Sequence, residues 1–310
     1  MLKIIIDIIF YFLYYPKYIL CKLSGEVDEI ITIIDGGLGS QMGQYAMGQE
    51  IQRITGIQVS YDLSWYNICG KDMLNKENRI YELETVFPSI TVKKASKKKI
   101  NIYKKLFNKQ KNGVLIQNLD GIISLSPPIY LGGYYTSEKY TNYNIGNLRK
   151  IFTFGLSLEG ENKKMMKQIL SEEYSVAIQI RLGDYVGSVS EVTTPKYFYS
   201  AIEYIYKKAA SDKVHFFVFS TDMEKCKIIL DSLPYTFTYV SINDNDHGAY
   251  DMYLMSHCHH FIISNSTFGF WPALLSDRCE DKIVIQPDKW IKTDIEKLKP
   301  KYPGWITMST

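Results

Sequence analysis

The sequence reads as an α/β protein built around a parallel, doubly wound sheet. Three observations predict this. From Ser175 onward, five apolar strand-like runs alternate with four helix-like segments. Near the other end, Ile30–Ile34, a glycine loop and a helical pattern make a second strand–loop–helix unit. The composition, 46% hydrophobic and 22% charged over 310 residues, is that of a folded chain long enough for two domains. Net charge is +3, too small to argue for nucleic acid. The five cysteines (Cys21, Cys69, Cys226, Cys258, Cys279) form no CxxC and suggest no disulfide framework, which fits a reducing compartment.

Taken in order, residues 1–23 open with an apolar stretch, Ile4 to Leu20, interrupted by Asp7, Pro16 and Lys17. It is a poor transmembrane span and a poor signal peptide. An interfacial helix on a membrane surface and a buried or partner-covered helix are both open readings. Ile30–Ile34 is a short strand, Asp35 to Ser40 (DGGLGS) is the glycine loop, and Gln41–Thr55 carries helical spacing at Met42, Tyr45, Ala46, Ile51 and Ile54. Such a loop brings backbone amides and a helix N-terminus up to an anion, although most glycine loops merely turn the chain. Gln58–Asp62 is the next strand. Lys93–Lys111 holds nine lysines among Ile100, Ile102, Tyr103, Leu106 and Phe107. That is the pattern of a solvated amphipathic helix, and its sharper reading is contact with anionic lipid. Ile129–Leu131 is a further strand, after which Ser137 can cap a helix beginning at Glu138, a place for an acceptor sugar. Gly160–Lys164 starts another helix near a domain boundary. The expected organisation is 1–23, 24–163, 164–290 and a tail, 291–310.

The second half is predicted as strands Val176–Ile180, Val214–Ser220, Phe237–Val240, Phe261–Ser264 and Lys282–Gln286. Helices Pro195–Lys208, Met223–Leu233, Ala249–Cys258 and Gly269–Ser276 separate them. Pro195 suits a first helical turn. Polar groups cluster at strand ends: Arg181 and Asp184, Thr221 and Asp222, then Asn265, Ser266 and Thr267. Ligands of open α/β sheets sit beyond such ends, and an arginine there presents a donor fork suited to phosphate. A structural Arg181–Asp184 salt bridge is the bland alternative. Together the three clusters favour a nucleotide pocket.

These segments resemble glycosyltransferase family 11, the α-1,2-fucosyltransferases. Gly36 to Ala46 (GGLGSQMGQYA) matches the family's GGLGNQMFQYA-type opening, Gln179 to Tyr185 its HxRRGDY segment, and Gly133 to Tyr140 its GYWQSEKY-like segment. Asp251 to Leu275 matches its DxxLMSxC…NSSFSWWGAWL segment, and Phe219 to Asp222 and Pro287 to Trp290 also fit. The resemblance implies a GT-B fold of two Rossmann-like domains facing across a cleft, the first for the acceptor and the second for GDP-β-L-fucose. It implies an inverting transfer of fucose to a sugar hydroxyl, without cofactor or metal, 1,2-linked onto galactose of a surface polysaccharide or O-antigen. Arg181 would neutralise the departing diphosphate, and Asp251 would accept from the guanine. Ser266 and Thr267, with Asn265, Asp222 and Gln179, would hold the rest of the nucleotide, while Gly37, Gly39 and Gln41 close over the donor. Asp184 or Glu138 would serve as base. The implied partners are a nucleotide sugar and a glycan or lipid-linked oligosaccharide, with no nucleic acid. The implied location is cytoplasmic, peripheral at the inner face of the membrane.

The chain departs from the family pattern at four places. Gln179 replaces histidine, Leu182 replaces a second arginine, Gly269-Phe270-Trp271-Pro272 replaces SWWG, and Ser40 replaces asparagine. Another nucleotide sugar, or a silent glycan- or nucleotide-binding protein on this fold, are the rival readings. Asp244-Asn245-Asp246 has a DxD pattern but a turn-forming context, and His257, His259 and His260 straddle a helix end and a strand. Neither is read as a metal site.

Overall fold

The computed structural model describes residues 28–71, 78–108, 127–133, 145–209, 211–292 and 302–310, together with Pro16 and Ile19. The described residues form two compact units, each with its own parallel sheet and flanking helices. The architecture is α/β and Rossmann-like, as the alternation predicts.

The first unit takes 28–71, 78–81, 91–108 and 127–133. Its sheet has the order β2-β1-β3, with β1 at Ile30–Ile33, β2 at Val59–Asp62 and β3 at Ile129–Leu131. The strands are buried almost throughout, which is why they read as apolar runs rather than alternations. The Leu38–Thr55 helix joins β1 to β2 and buries Met42, Tyr45, Ala46, Met47 and Ile51. It ends at Gly56 in the left-handed conformation. The lysine-rich segment forms a helix over Lys97–Leu106, capped by Ser96, whose Oγ accepts from the Lys99 amide. Ile102 and Tyr103 pack with Ile31 and Tyr130. Lys97, Lys98 and Lys105 are exposed, whereas Lys99 and Lys104 reach inward to Glu29 and Asp62.

The second unit takes 82–90, 145–209, 211–292 and 302–310. Its six-stranded sheet has the order β6-β5-β4-β7-β8-β9, all parallel. The strands are β4 (Tyr174–Gln179), β5 (Val214–Phe219), β6 (Thr236–Val240), β7 (His260–Ile263), β8 (Val284–Pro287) and β9 (Ile306–Met308). Val176, Ile178 and Ile180 project to one face with Phe216 and Val218. There they meet Tyr197, Phe198, Ala201, Ile202 and Ile205 of the Pro195–Ala209 helix. The Gly248–Met255 helix packs on both Gly160–Ser171 and Thr267–Leu275. β9 departs from the sequence expectation, which left 291–310 as a tail. Ile306 pairs with Ile285 and Met308 with Pro287, so three residues too short to show a period extend the sheet.

Candidate active site

In the second unit, the chain runs from β4 outward through β5 and β6, then returns to the other side of β4 as β7. The switch point therefore lies between β4 and β7, where ligand crevices form beyond the strand ends. Gln179 and Arg181 leave β4 there, and Ser264 to Thr267 leave β7. Ser264 stitches the two exits together. Its Oγ donates to Gln179 O at 2.9 Å and accepts from the Arg181 amide at 3.0 Å. Its own amide lies 3.3 Å from the Gln179 Oε1 acceptor. Gln179 is buried against Gly269, where a Cβ would fall 2.8 Å from Oε1, so glycine is what lets the glutamine fit.

Arg181 carries its guanidinium over the Tyr185 ring, 5.2 Å from the centroid. Tyr185 belongs to the 3₁₀ turn Gly183–Tyr185. Ser266 caps the Thr267–Leu275 helix, its Oγ accepting from the Phe268 amide at 3.3 Å. One crevice thus holds a fixed cation, a helix N-terminus and the hydroxyls of Ser266 and Thr267, an arrangement that suits a polyanion.

Further along the same edge, Gly248–Met255 starts after the end of β6. A Cβ on Gly248 would lie 3.5 Å from the Phe268 ring, which ties this helix to the β7 exit. Asp251 sits in its first turn, half-buried, and Asn243 Nδ2 donates to its Oδ1 at 2.6 Å. Asn243 is itself held by a reciprocal amide pair with Asn162. Burial pushes the Asp251 carboxyl up to about 7, and the single Asn243 bond only partly opposes the shift. A half-buried carboxylate with one neutral donor is poorly compensated, a setting characteristic of a ligand site.

Asn265 and Asp222, also expected at the nucleotide, make contacts within the protein. Asn265 is buried, and its amide donates to Ser190 O at 2.8 Å and Trp290 O at 2.7 Å, clamping the loops that follow β4 and β8. Asp222 caps the Met223–Leu230 helix and pairs with Lys225 at 2.9 Å. Asp184 lies in the Gly183–Tyr185 turn; Glu138 and the segment around it lie outside the described residues. Asp244 caps its own turn, its Oδ1 accepting from the Asp246 and His247 amides, both at 3.1 Å. His259 bonds Ser175, and His260 Nδ1 accepts from the Ile283 amide, so the two histidines serve separate partners.

In the first unit, Gly36 has φ +72°, a conformation that requires glycine here, and Gly37 forms the helix N-cap with Gly39 in the first turn. Gln41, expected at the donor, is fully buried. Its amide donates to Gly36 O at 3.3 Å and Ile80 O at 2.8 Å, bracing the loop from within. Two residues that the motif reading did not single out stand at this strand end. Gln44 accepts from the Asp35 amide at 2.9 Å and donates to Asp35 Oδ1 at 2.8 Å and Gly133 O at 3.1 Å. The acidic residue at the end of β1 was a visible signal. Its partner, nine positions on in a helix, was not.

The family model described as glycosyl transferase family 11 matches residues 76–309. An Escherichia coli alpha-1,2-colitosyltransferase is 27% identical over 294 residues, 89% of this chain and 98% of that protein. The E. coli O-antigen biosynthesis glycosyltransferase WbnK is 24% identical over 307 residues, 89% of this chain and 99% of its own length. Among solved structures, the fucosyltransferase NodZ from Bradyrhizobium aligns with a TM-score of 0.49 at 12% identity, covering 80% of this chain and 93% of that one.

Proposed function

The chain belongs to glycosyl transferase family 11, and we propose that it transfers L-fucose from GDP-β-L-fucose to a sugar hydroxyl, 1,2-linked onto galactose, during assembly of a surface polysaccharide. The observation that carries this reading is the pairing, on one sheet edge, of the Arg181–Ser266 crevice with the half-buried Asp251 carboxylate. The first suits a diphosphate; the second suits the adjacent N1 and N2 hydrogens of guanine. In the reaction the acceptor oxygen bonds to the anomeric carbon while the bond from that carbon to the diphosphate breaks. Negative charge grows on the leaving diphosphate, and Arg181 with the helix N-terminus answers it, so the nucleotide departs without a metal. Similarity to a colitosyltransferase over 89% of the chain supports a second reading of the donor sugar alone, in which colitose replaces fucose.

The nine lysines between Lys93 and Lys111 support peripheral contact with anionic lipid, which would place the enzyme beside a lipid-linked acceptor. Among the described residues, no helix is long and apolar enough to cross a membrane. Calorimetric titration with GDP, GDP-fucose, GDP-colitose, UDP and UDP-galactose in EDTA tests the reading. Guanine nucleotides should bind and uridine nucleotides should not. Uridine preference, or binding that requires a restored divalent ion, would refute it.

A further inference from the structure

We propose that Asn243 and Asn162 are positioning residues for the purine: as a locked amide pair they hold the Asp251 carboxylate so that both its oxygens accept from guanine, and thereby set a preference for guanine over a purine without the 2-amino group. The proposal rests on the guanine role given to Asp251 above and adds what makes that carboxylate selective.

Three elements of the second unit meet at this carboxylate. Asp251 lies in the first turn of the Gly248–Met255 helix, Asn243 in the connection after β6, and Asn162 near the start of the Gly160–Ser171 helix. The two helices pack on one another. Phe154, which precedes the Gly160–Ser171 helix, stacks on Tyr253 of the other at 4.8 Å between ring centroids. The asparagines are thus brought together by packing across 81 positions.

Hydrogen-bond accounting fixes which way each amide faces. Asn162 Nδ2 donates to Asn243 Oδ1 at 2.8 Å, and Asn243 Nδ2 donates to Asn162 Oδ1 at 3.0 Å. The same Asn243 Nδ2 donates to Asp251 Oδ1 at 2.6 Å. A primary amide has two hydrogens to give, so Asn243 is fully committed. Turning its amide over would set its oxygen against Asn162 Oδ1 and Asp251 Oδ1, and its nitrogen against Asn162 Nδ2. Three mismatches would replace three bonds. Asn162 therefore locks Asn243, and Asn243 presents the carboxylate with a donor only.

The consequence falls on the carboxylate. An ionised carboxylate has about four lone-pair sites. Asn243 takes one of those on Oδ1, and Oδ2 has no hydrogen-bond partner among the described residues. Guanine presents its N1 and N2 hydrogens side by side, and a carboxylate of fixed plane accepts both; hypoxanthine, without the 2-amino group, offers one. A protonated carboxyl carries O–H in place of one acceptor and loses the second bond. Burial disfavours the ionised form, and the Asn243 donor favours it, so the amide pair sustains the state that reads both hydrogens. No ionic group does this instead. Among the packing neighbours of the helix, Thr267–Leu275 carries no charged side chain. Glu161, Lys163, Lys164 and Lys167 of Gly160–Ser171 are exposed, as are Asp244, Asp246 and His247. None of them is among the causes that displace the Asp251 carboxyl.

The test titrates the full chain by calorimetry with GDP and with inosine diphosphate, from about pH 6 to about pH 9. Wild type should prefer GDP by about 10- to 100-fold, the scale of one hydrogen bond to a charged group. Its GDP affinity should rise as pH climbs through about 7, where the carboxyl ionises. Asn243→Ala should weaken GDP by about tenfold, cut the preference to within about threefold, and move the rise to higher pH. A merely structural role would weaken both diphosphates alike and leave the pH dependence in place. Asn162→Ala should act in the same direction by less. The double variant should match Asn243→Ala within about twofold, because Asn162 acts only through Asn243. An unchanged preference in Asn243→Ala, whether GDP affinity holds or both diphosphates weaken equally, overturns the proposal; the guanine reading then stands if Asp251→Asn has lost GDP. Should Asn243→Ala fail to fold, a preference and pH dependence unchanged in Asn162→Ala overturn it instead. GDP affinity undiminished in Asp251→Asn overturns the guanine reading, and the positioning role with it.

Discussion

Asp251→Asn is expected to make the protein more stable at pH 8 and to cost it most of its affinity for GDP. The carboxyl titrates in an ordinary setting at 3.8 and here at about 7, because burial disfavours its charge and Asn243 alone compensates. That displacement corresponds to about 4 kcal/mol of penalty on the ionised folded state, taken as an upper bound. Because the folded-state value is raised, the stability linked to this group is fully present below pH 3.8 and is lost as pH climbs through 7. Asparagine has the same shape, can still accept from Asn243, and carries no charge. Its melting midpoint should therefore exceed that of wild type at pH 8, by about 2–4 °C for each kcal/mol recovered, with the difference shrinking as pH falls through 7 and vanishing only below pH 3.8. Guanine should suffer the reverse. Two charge-assisted bonds are lost, each worth about 1.5–3 kcal/mol, so GDP affinity at pH 8 should fall at least 100-fold. Differential scanning calorimetry and GDP titration on the same samples read both effects. Unchanged GDP affinity in the variant would refute Asp251 as the guanine acceptor, and a midpoint at pH 8 no higher than wild type would refute the burial argument.

Other substitutions probe the frame. Arg181→Ala should lower kcat by at least about 10²-fold, the scale of losing one group that stabilises transition-state charge, while the melting curve stays near wild type; steady-state kinetics with calorimetry reads both. Lys104→Met leaves Asp62 buried with only neutral donors and should destabilise the first unit by about 3 kcal/mol, less where solvent reaches the lysine, as read by urea denaturation followed by circular dichroism. Gly36→Ala places a side chain at φ +72° and should cost about 1–2 kcal/mol. Limited proteolysis should then show faster cleavage of the glycine loop, whose far side Gln41 braces.

Much of the fold was legible because it rests on local pattern. β4, β5 and β7 are apolar runs bounded by polar strand ends, and Pro195 and Ser266 mark helix starts that the structure retains. The site was legible only to the extent that residue type limits chemistry. Arg181, Ser266 and Asp251 lie on one sheet edge, but nothing local shows that Asn265 is committed to Ser190 and Trp290, or that Gln41 faces inward toward Ile80. Those roles depend on which distant carbonyl arrives beside each amide.

From the amino-acid order alone came the α/β class, the parallel sheets, the family, and a set of strand-end residues fit for a nucleotide. These follow from periodicity, turn chemistry and motif spacing, each of which acts within a few residues. Tertiary structure alone decided which of those residues keep a free polar group. Gln44 meets Asp35 and Gly133 across 9 and 89 positions, and β9 finds β8 across a connection with no periodic signal. Burial is likewise a property of the packed chain. It raises all three carboxyls, and the partners that packing delivers separate Asp35 and Asp251, each opposed by one amide and pushed up, from Asp62, which Lys104, Ser64 and Tyr130 hold down, although the three are the same residue in the sequence.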